Sequence, residues 1–214
     1  MKEVTQMEPY KVIAAAAEAE LVEKKSRFIG NMLLTKSEDE AKEFIADIRS
    51  KHKDATHVVY TYILKNPFVT RFSDDGEPQG TAGKPALEVL QREGIWDVTL
   101  TITRYFGGTL LGAGGLVRAY AKTAKLTLDA AGIALMKEVH TAEISLPYTT
   151  YGKVEDYLKS TPIRLIDTNF QEDVTLKVLL EPASLPQLQS FLQEETSGRV
   201  AARIVKTEFM AFGG

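Results

Sequence analysis

The chain has 214 residues, of which 44% are hydrophobic and 26% charged, the balance of a soluble globular protein with enough apolar surface for a core, so global disorder is excluded. It has no cysteine, which removes disulfides, thiolate metal sites and cysteine nucleophiles and fits a reducing, cytoplasmic setting. The net charge of −3 argues against whole-molecule attraction to polyanions, so any affinity for nucleic acid has to come from a local patch.

That charge is unevenly divided. Residues 1–137 carry 19 Lys and Arg against 18 Asp and Glu, and residues 138–214 carry 7 against 11, which makes the N-terminal part the more basic. Met1 to Gln6 lacks the apolar run of a leader, and no stretch of ~18 uncharged apolar residues exists, so neither secretion nor a membrane partner is expected.

In chain order, apolar alternation predicts strands over Glu18–Glu23 and Arg27–Thr35, paired across Lys24-Lys25-Ser26. Ser37 with Glu40 has capping-box spacing, and Ala41, Phe44, Ile45 and Ile48 follow at helical period, predicting a helix to about Lys53. His57–Leu64, rich in β-branched and aromatic residues and closed by Asn66-Pro67, reads as a strand. From Asn66 to Gly83 no periodicity survives, and a long loop is expected. Pro85 suits the first turn of a helix through Leu90, with Gly94 as a left-handed cap. Asp97–Arg104 reads as a strand, Gly107–Gly115 as a glycine-rich loop, and Leu116–Ala131 as a buried helix ending at Gly132.

Beyond that point the pattern gives a strand (Ala142–Leu146), a helix (Tyr151–Lys159), two strands (Ile163–Phe170 and Val174–Leu180), a helix (Leu185–Glu194) and a strand (Arg199–Phe209). This βαββαβ order is the ferredoxin-like split motif. The fold class is therefore α+β in two domains, 1–135 and 136–214.

Two segments carry the chemistry. In Arg71-Phe72-Ser73-Asp74-Asp75-Gly76-Glu77-Pro78, the acids Asp74, Asp75 and Glu77 form a candidate acid or hard-cation cluster. A calcium loop with its glycine at Gly76 fails, because it would start at Arg71 and end at Ala82; turn capping by Asp and Gly is the stronger reading. The following Gly80-Thr81-Ala82-Gly83-Lys84 is not a phosphate loop, since the pattern needs Gly at 78 and Ser or Thr at 85 and both are proline. A glycine-rich entry to a helix beside Lys84 still favours an anion, unless Gly80 and Gly83 only let the loop turn.

The second segment, Arg104-Tyr105-Phe106-Gly107-Gly108-Thr109-Leu110-Leu111-Gly112-Ala113-Gly114-Gly115-Leu116-Val117-Arg118, places glycines between a strand and a helix, where uncovered N–H groups suit an anion. A dinucleotide fingerprint would need glycine at 117, which is Val. The expected binding residues are Arg71, Lys84, Arg104, Tyr105, Phe106, Gly107, Gly108, Gly114, Gly115 and Arg118. Two helix N-termini are expected to converge with Lys84, Arg104 and Arg118 on one phosphate or sulfate ion. In the alternative, the glycines allow close packing and the arginines pair with Asp74, Asp75 or Glu77.

No Gly-x-Ser-x-Gly elbow or His-Glu-x-x-His motif occurs, and His52, His57 and His140 have no metal-ligand spacing. His57 alone, at the start of a strand leading to the Arg71 loop, is a candidate proton donor. No catalytic residue and no cofactor is assigned, and the metal question stays open.

Taken together, Lys25-Ser26-Arg27-Phe28-Ile29, His57, the Ser73–Pro85 run and the Arg104–Tyr120 run resemble the YigZ/IMPACT family over essentially the whole chain, with no departure at the motif positions. The resemblance implies an N-terminal domain like the second domain of ribosomal protein S5 and a C-terminal ferredoxin-like domain similar to the last domain of elongation factor G. It also implies a part in translational control, since eukaryotic relatives join this N-terminal domain to a module that acts there through regulatory protein partners. That module is not expected in this chain. The expectation is a non-enzymatic, RNA- or ribosome-associated cytoplasmic protein. The alternatives are a phosphate-handling enzyme acting on a small molecule and a protein-interaction module anchored by Tyr105, Phe106 and Leu110.

Overall fold

The computed structural model describes residues 8–211; the segment Met1 to Gln6 considered above lies outside the described residues. The chain divides into two compact units, Tyr10–Leu135 and the chain from Met136.

The first unit runs β1 (Tyr10–Ile13), β2 (Ala17–Glu23), β3 (Ser26–Leu34), α1 (Glu38–Lys51), β4 (His57–Leu64), β5 (Val69–Ser73), α2 (Gly83–Glu93), β6 (Val98–Tyr105) and α3 (Ala113–Ala131). Five strands form an antiparallel sheet in the order β2-β3-β6-β4-β5. Successive side chains of a strand point to opposite faces, and the central strand shows it: Val98, Leu100 and Ile102 enter the main core, while Thr99, Thr101 and Thr103 are buried on the other side. The main core also holds Leu87 and Leu90 of α2 and Leu116, Tyr120, Ala124 and Leu128 of α3. On β4, Val59 and Ile63 join that core, whereas Tyr62 and Leu64 pack with Ala41 and Ile45 of α1. Helices α2 and α3 therefore cover one face of the sheet and α1 the other.

The second unit comprises β7 (Ile133–Leu146), which starts in the first unit, then α4 (Tyr148–Lys159), β8 (Arg164–Phe170), β9 (Val174–Leu180), α5 (Leu185–Thr196) and β10 (Arg203–Ala211). Its strands pair antiparallel in the order β10-β7-β9-β8, the arrangement of a ferredoxin-like split motif. A core of its own joins Ile144, Leu146 and Leu176 of the sheet to Val154 and Leu158 of α4 and Leu188 and Leu192 of α5.

The structure corrects the pattern reading in four places. The expected loop from Asn66 contains β5, a five-residue edge strand registered against Tyr60–Leu64, too short to show a period beside its Asn-Pro and Asp-Asp-Gly flanks. Strand β1 was missed because it has only four residues. Strand β7 begins at Ile133, not Ala142, so it follows almost directly on the end of α3. Helix α3 begins at Ala113, so Gly114 and Gly115 are helical rather than part of a loop, a placement that their low helix propensity hides.

Capping follows chemistry. Ser37 Oγ accepts from the Glu40 amide at 3.2 Å, and the Glu40 carboxylate reaches back to the Lys36 amide at 2.8 Å. Gly94 closes α2 in the left-handed region, with φ of 71°.

Gly30 sets how closely α3 lies on β3, because a Cβ there would collide with Thr127 Oγ1 and meet Thr123 Cγ2 at 3.2 Å. Gly30→Ala should lower stability by about 1–3 kcal/mol through overpacking, read as a fall in the urea midpoint with unchanged m.

Candidate ligand site

One row of the sheet assembles the site. Arg104 on β6 lies opposite Phe28 on β3 and His57 on β4, and its position in the alternation puts it on the face covered by α3. Helix α3 lays Tyr120 edge-on over Phe28, with ring centroids 5.2 Å apart. The loop after β5 delivers Glu77. Its Oε1 accepts from Arg104 Nη1 at 2.6 Å and from the Tyr120 hydroxyl at 2.7 Å, and His57 Nε2 lies 3.9 Å away. Arg104 is 5% exposed, Glu77 8% and Tyr120 fully buried. Burial, then the Glu77 carboxylate, pushes the Tyr120 phenol well above its ordinary value, so it stays a donor. The rings of Phe28 and Phe106 lie 5.4 and 5.6 Å from the Arg104 guanidinium carbon and give the cation π-faces where water is excluded.

The loop that carries Glu77 is held by its two aspartates. Asp74 Oδ1 accepts from the amides of Ala82 and Gly83, and its Oδ2 from that of Gly80, at 2.7–3.1 Å. Asp75 pairs with Arg49 at 2.6 Å and accepts from the Val58 amide at 2.7 Å. The Asp75 carbonyl, which can only accept, lies 2.7 Å from His57 Nδ1. That contact puts the proton on Nδ1 and leaves Nε2 of the neutral ring as an acceptor.

Above this polar floor is a cavity of about 420 Å³ walled by Pro78, Phe106, Leu110, Leu111 and Leu116, with Gly112 and Ala113 at the start of α3 on its rim. Among the described residues α3 has no side-chain cap, whereas Ser37 caps α1 and Asp74 occupies the start of α2. One further atom is unusual: Arg104 Nε–H is buried and has no hydrogen-bond partner. A second cleft of about 220 Å³ shares Leu111 and is lined by Lys24, Arg118 and Lys122 against the single carboxylate of Glu23. None of those three cations has an ion-pair partner among the described residues. Arg118 folds back along its helix, with Nη1 3.6 Å from where a Cβ on Gly114 would lie.

The anion pocket expected from Lys84, Arg104 and Arg118 together does not form. Asp74 already fills the backbone donors at the start of α2, and Glu77 neutralises a buried Arg104, as the alternative pairing foresaw for that arginine. Lys84 is exposed on α2 and lines neither cavity. Arg71 sits opposite Tyr62, on the α1 face of the sheet, away from Arg104. Tyr105 also turns to the α1 side, where its hydroxyl meets His52 Nδ1 at 2.9 Å and Asp54 at 3.3 Å. Phe106, 47% exposed, does line the cavity.

Gly107 serves packing, since a Cβ there would run into the backbone of Lys25 and Ser26; Gly108 is needed for its φ of +80°. Gly114 and Gly115 lie in the first turn of α3 and Arg118 just beyond it. The candidate acid cluster is dispersed: Asp74 and Asp75 hold the loop, Glu77 holds Arg104, and no metal-ligating group of three acids or histidines occurs among the described residues.

Pattern reading passed over Tyr120, Lys24 and Lys122 as site residues. The signals were there, since Lys122 follows Arg118 by four on one helix face and a Tyr on a buried helix stripe needs a hydroxyl partner.

The Impact N-terminal domain model matches residues 24–128, and a domain of unknown function, DUF1949, matches 144–199. IMPACT family member YvyE of Bacillus subtilis is 37% identical over 191 residues, 89% of this chain and 88% of that protein. The chain belongs to the IMPACT family. IMPACT family member YigZ of Escherichia coli is 34% identical, covering 82% of this chain and 87% of that one. A solved structure described as a hypothetical protein shares the fold with a TM-score of 0.59 at 30% identity, over 94% of this chain and 98% of that one. No helix among the described residues of this IMPACT family chain is long and apolar enough to cross a membrane.

Glu77→Gln should leave Arg104 buried without a counter-charge and cost about 3–5 kcal/mol, seen as a large fall in Tm. Tyr120→Phe should cost about 1 kcal/mol. Because folding raises the Tyr120 phenol above its ordinary value of ~10, its contribution is full below that pH and is lost above it. Urea unfolding at pH 8 and pH 11 should therefore show a smaller alkaline loss of stability for Tyr120→Phe than for the parent chain.

Proposed function

We propose that this protein is a non-enzymatic, RNA- or ribosome-associated cytoplasmic protein with a part in translational control, which holds polyanion in the cleft between the β2–β3 turn and α3. The observation that carries this reading is the convergence of Lys24, Arg118 and Lys122, none paired to a carboxylate, on one cleft beside the uncapped start of α3. Such a patch attracts phosphates locally, although the molecule as a whole is acidic.

The turn that bears Lys24 gives independent support. Glu23 pairs with Ser26, so Lys24 and Lys25 alone make the hairpin loop, and both have positive φ, 46° and 67°. A two-residue hairpin turn of this kind favours Asn-Gly, because glycine and asparagine tolerate positive φ where lysine is strained. Two lysines held there are poor for stability and good for charge. The relation of the family to translation enters this reading through its eukaryotic members alone.

Three phosphate contacts on a single strand should give a slope of about −2 for the logarithm of affinity against the logarithm of salt concentration. Arg118→Ala with Lys122→Ala should bring that slope to about −0.7. Lys24→Asn with Lys25→Gly should raise Tm, as the turn loses its strain, while weakening RNA binding. Filter binding of a single-stranded RNA and of ribosomes over a salt series reads all of these. Binding that is absent at low salt, or that is unaffected by either double variant, would reject the proposal.

A further inference from the structure

We infer that the cavity over Arg104 is a nucleobase pocket, which receives the base of a nucleotide whose phosphate lies at the start of α3. This rests on the polyanion reading and adds the element that reads the ligand.

The polar floor is the first argument. Glu77 and Arg104 cancel in charge, so a charged head is not called for. What the floor still offers is two acceptors: Glu77 Oε2 takes no hydrogen bond among the described residues, and His57 presents Nε2 because Nδ1 is committed to the Asp75 carbonyl. A neutral group with N–H donors along one edge matches this set, and the amino and imino groups of a nucleobase make such an edge. An apolar protein side chain in the same place would leave the floor unpaired at a cost.

The walls and the rim are the second argument. Phe106 is half-exposed at the mouth, placed as a stacking surface, and Leu110 and Leu111 supply apolar contact to a flat ring. The mouth opens beside the uncapped backbone amides of α3, which suit a phosphate attached to the base. Leu111 lines both this cavity and the cation cleft, so a strand with one base turned inward would continue along Lys24, Arg118 and Lys122. The pocket's chemistry is the same for a free nucleotide and for an unpaired member of a strand.

The test compares, by calorimetry on the full chain, the four ribonucleoside 5′-monophosphates, ten-residue homopolymeric RNAs, and an abasic strand of the same length and charge, each with the parent protein and with Phe106→Ala. The expected result is that at least one base-bearing strand binds about tenfold more tightly than the abasic strand, and that Phe106→Ala removes this preference without changing the salt slope. Monophosphates that bind, with the same dependence on Phe106, would support the pocket and assign it to free nucleotides.

Equal affinity for native and abasic strands, unaffected by Phe106→Ala, with no monophosphate bound, would overturn the pocket and leave the polyanion reading standing. No binding of any probe would overturn both. Phe106-dependent binding to ribosomal protein stripped of RNA, with no preference for bases, would overturn the pocket in favour of a protein partner. The comparison of native with abasic strands needs no variant, so it decides even if Phe106→Ala fails to fold.

Discussion

The buried pair of Arg104 and Glu77 is the contact on which the N-terminal domain's arrangement turns. It joins the end of β6 to the loop after β5, and the Tyr120 hydroxyl ties α3 to the same carboxylate oxygen. Removing two charges from water is expensive, and their attraction repays it only when the geometry is good and other groups satisfy the remaining atoms. Here the second donor from Tyr120 and the flanking rings of Phe28 and Phe106 serve that purpose. A pair so costly is weak evidence for stability. Its evident effect is positional, since it fixes a loop, a strand end and a helix around one cavity.

Much of the fold was legible. Period-2 alternation marked most strands, and the capping spacing of Ser37 and Glu40 and the glycine at 94 marked helix ends, because those signals are local and survive in any context. The short strands β1 and β5 were not, since four or five residues give no period to measure.

The site was legible in its parts and misread in its assembly. Glycine density drew attention to Gly107–Gly115, but Gly107 is there for close packing against the Lys25 backbone, and Gly114 and Gly115 lie inside a helix. Which arginine is buried cannot be read from spacing. Arg104 and Arg118 look alike in sequence, yet strand alternation turns the first into the core face, and helical position leaves the second at the surface. Lys24 and Lys122 escaped notice because the cleft joins residues almost 100 positions apart in the chain, which only the fold brings together.

Asp74 has a consequence of a different kind. It behaves as an anion that the chain carries with it, tethered a few residues from the amides it occupies, and a tethered ligand acts at an effective concentration in the millimolar range or above. A free phosphate must outcompete that concentration to reach the start of α2, whereas at α3 it meets no such internal competitor among the described residues. Two glycine-rich helix starts in one domain are thus made unequal by one carboxylate, and the chain chooses where an outside anion can settle by occupying the other place itself.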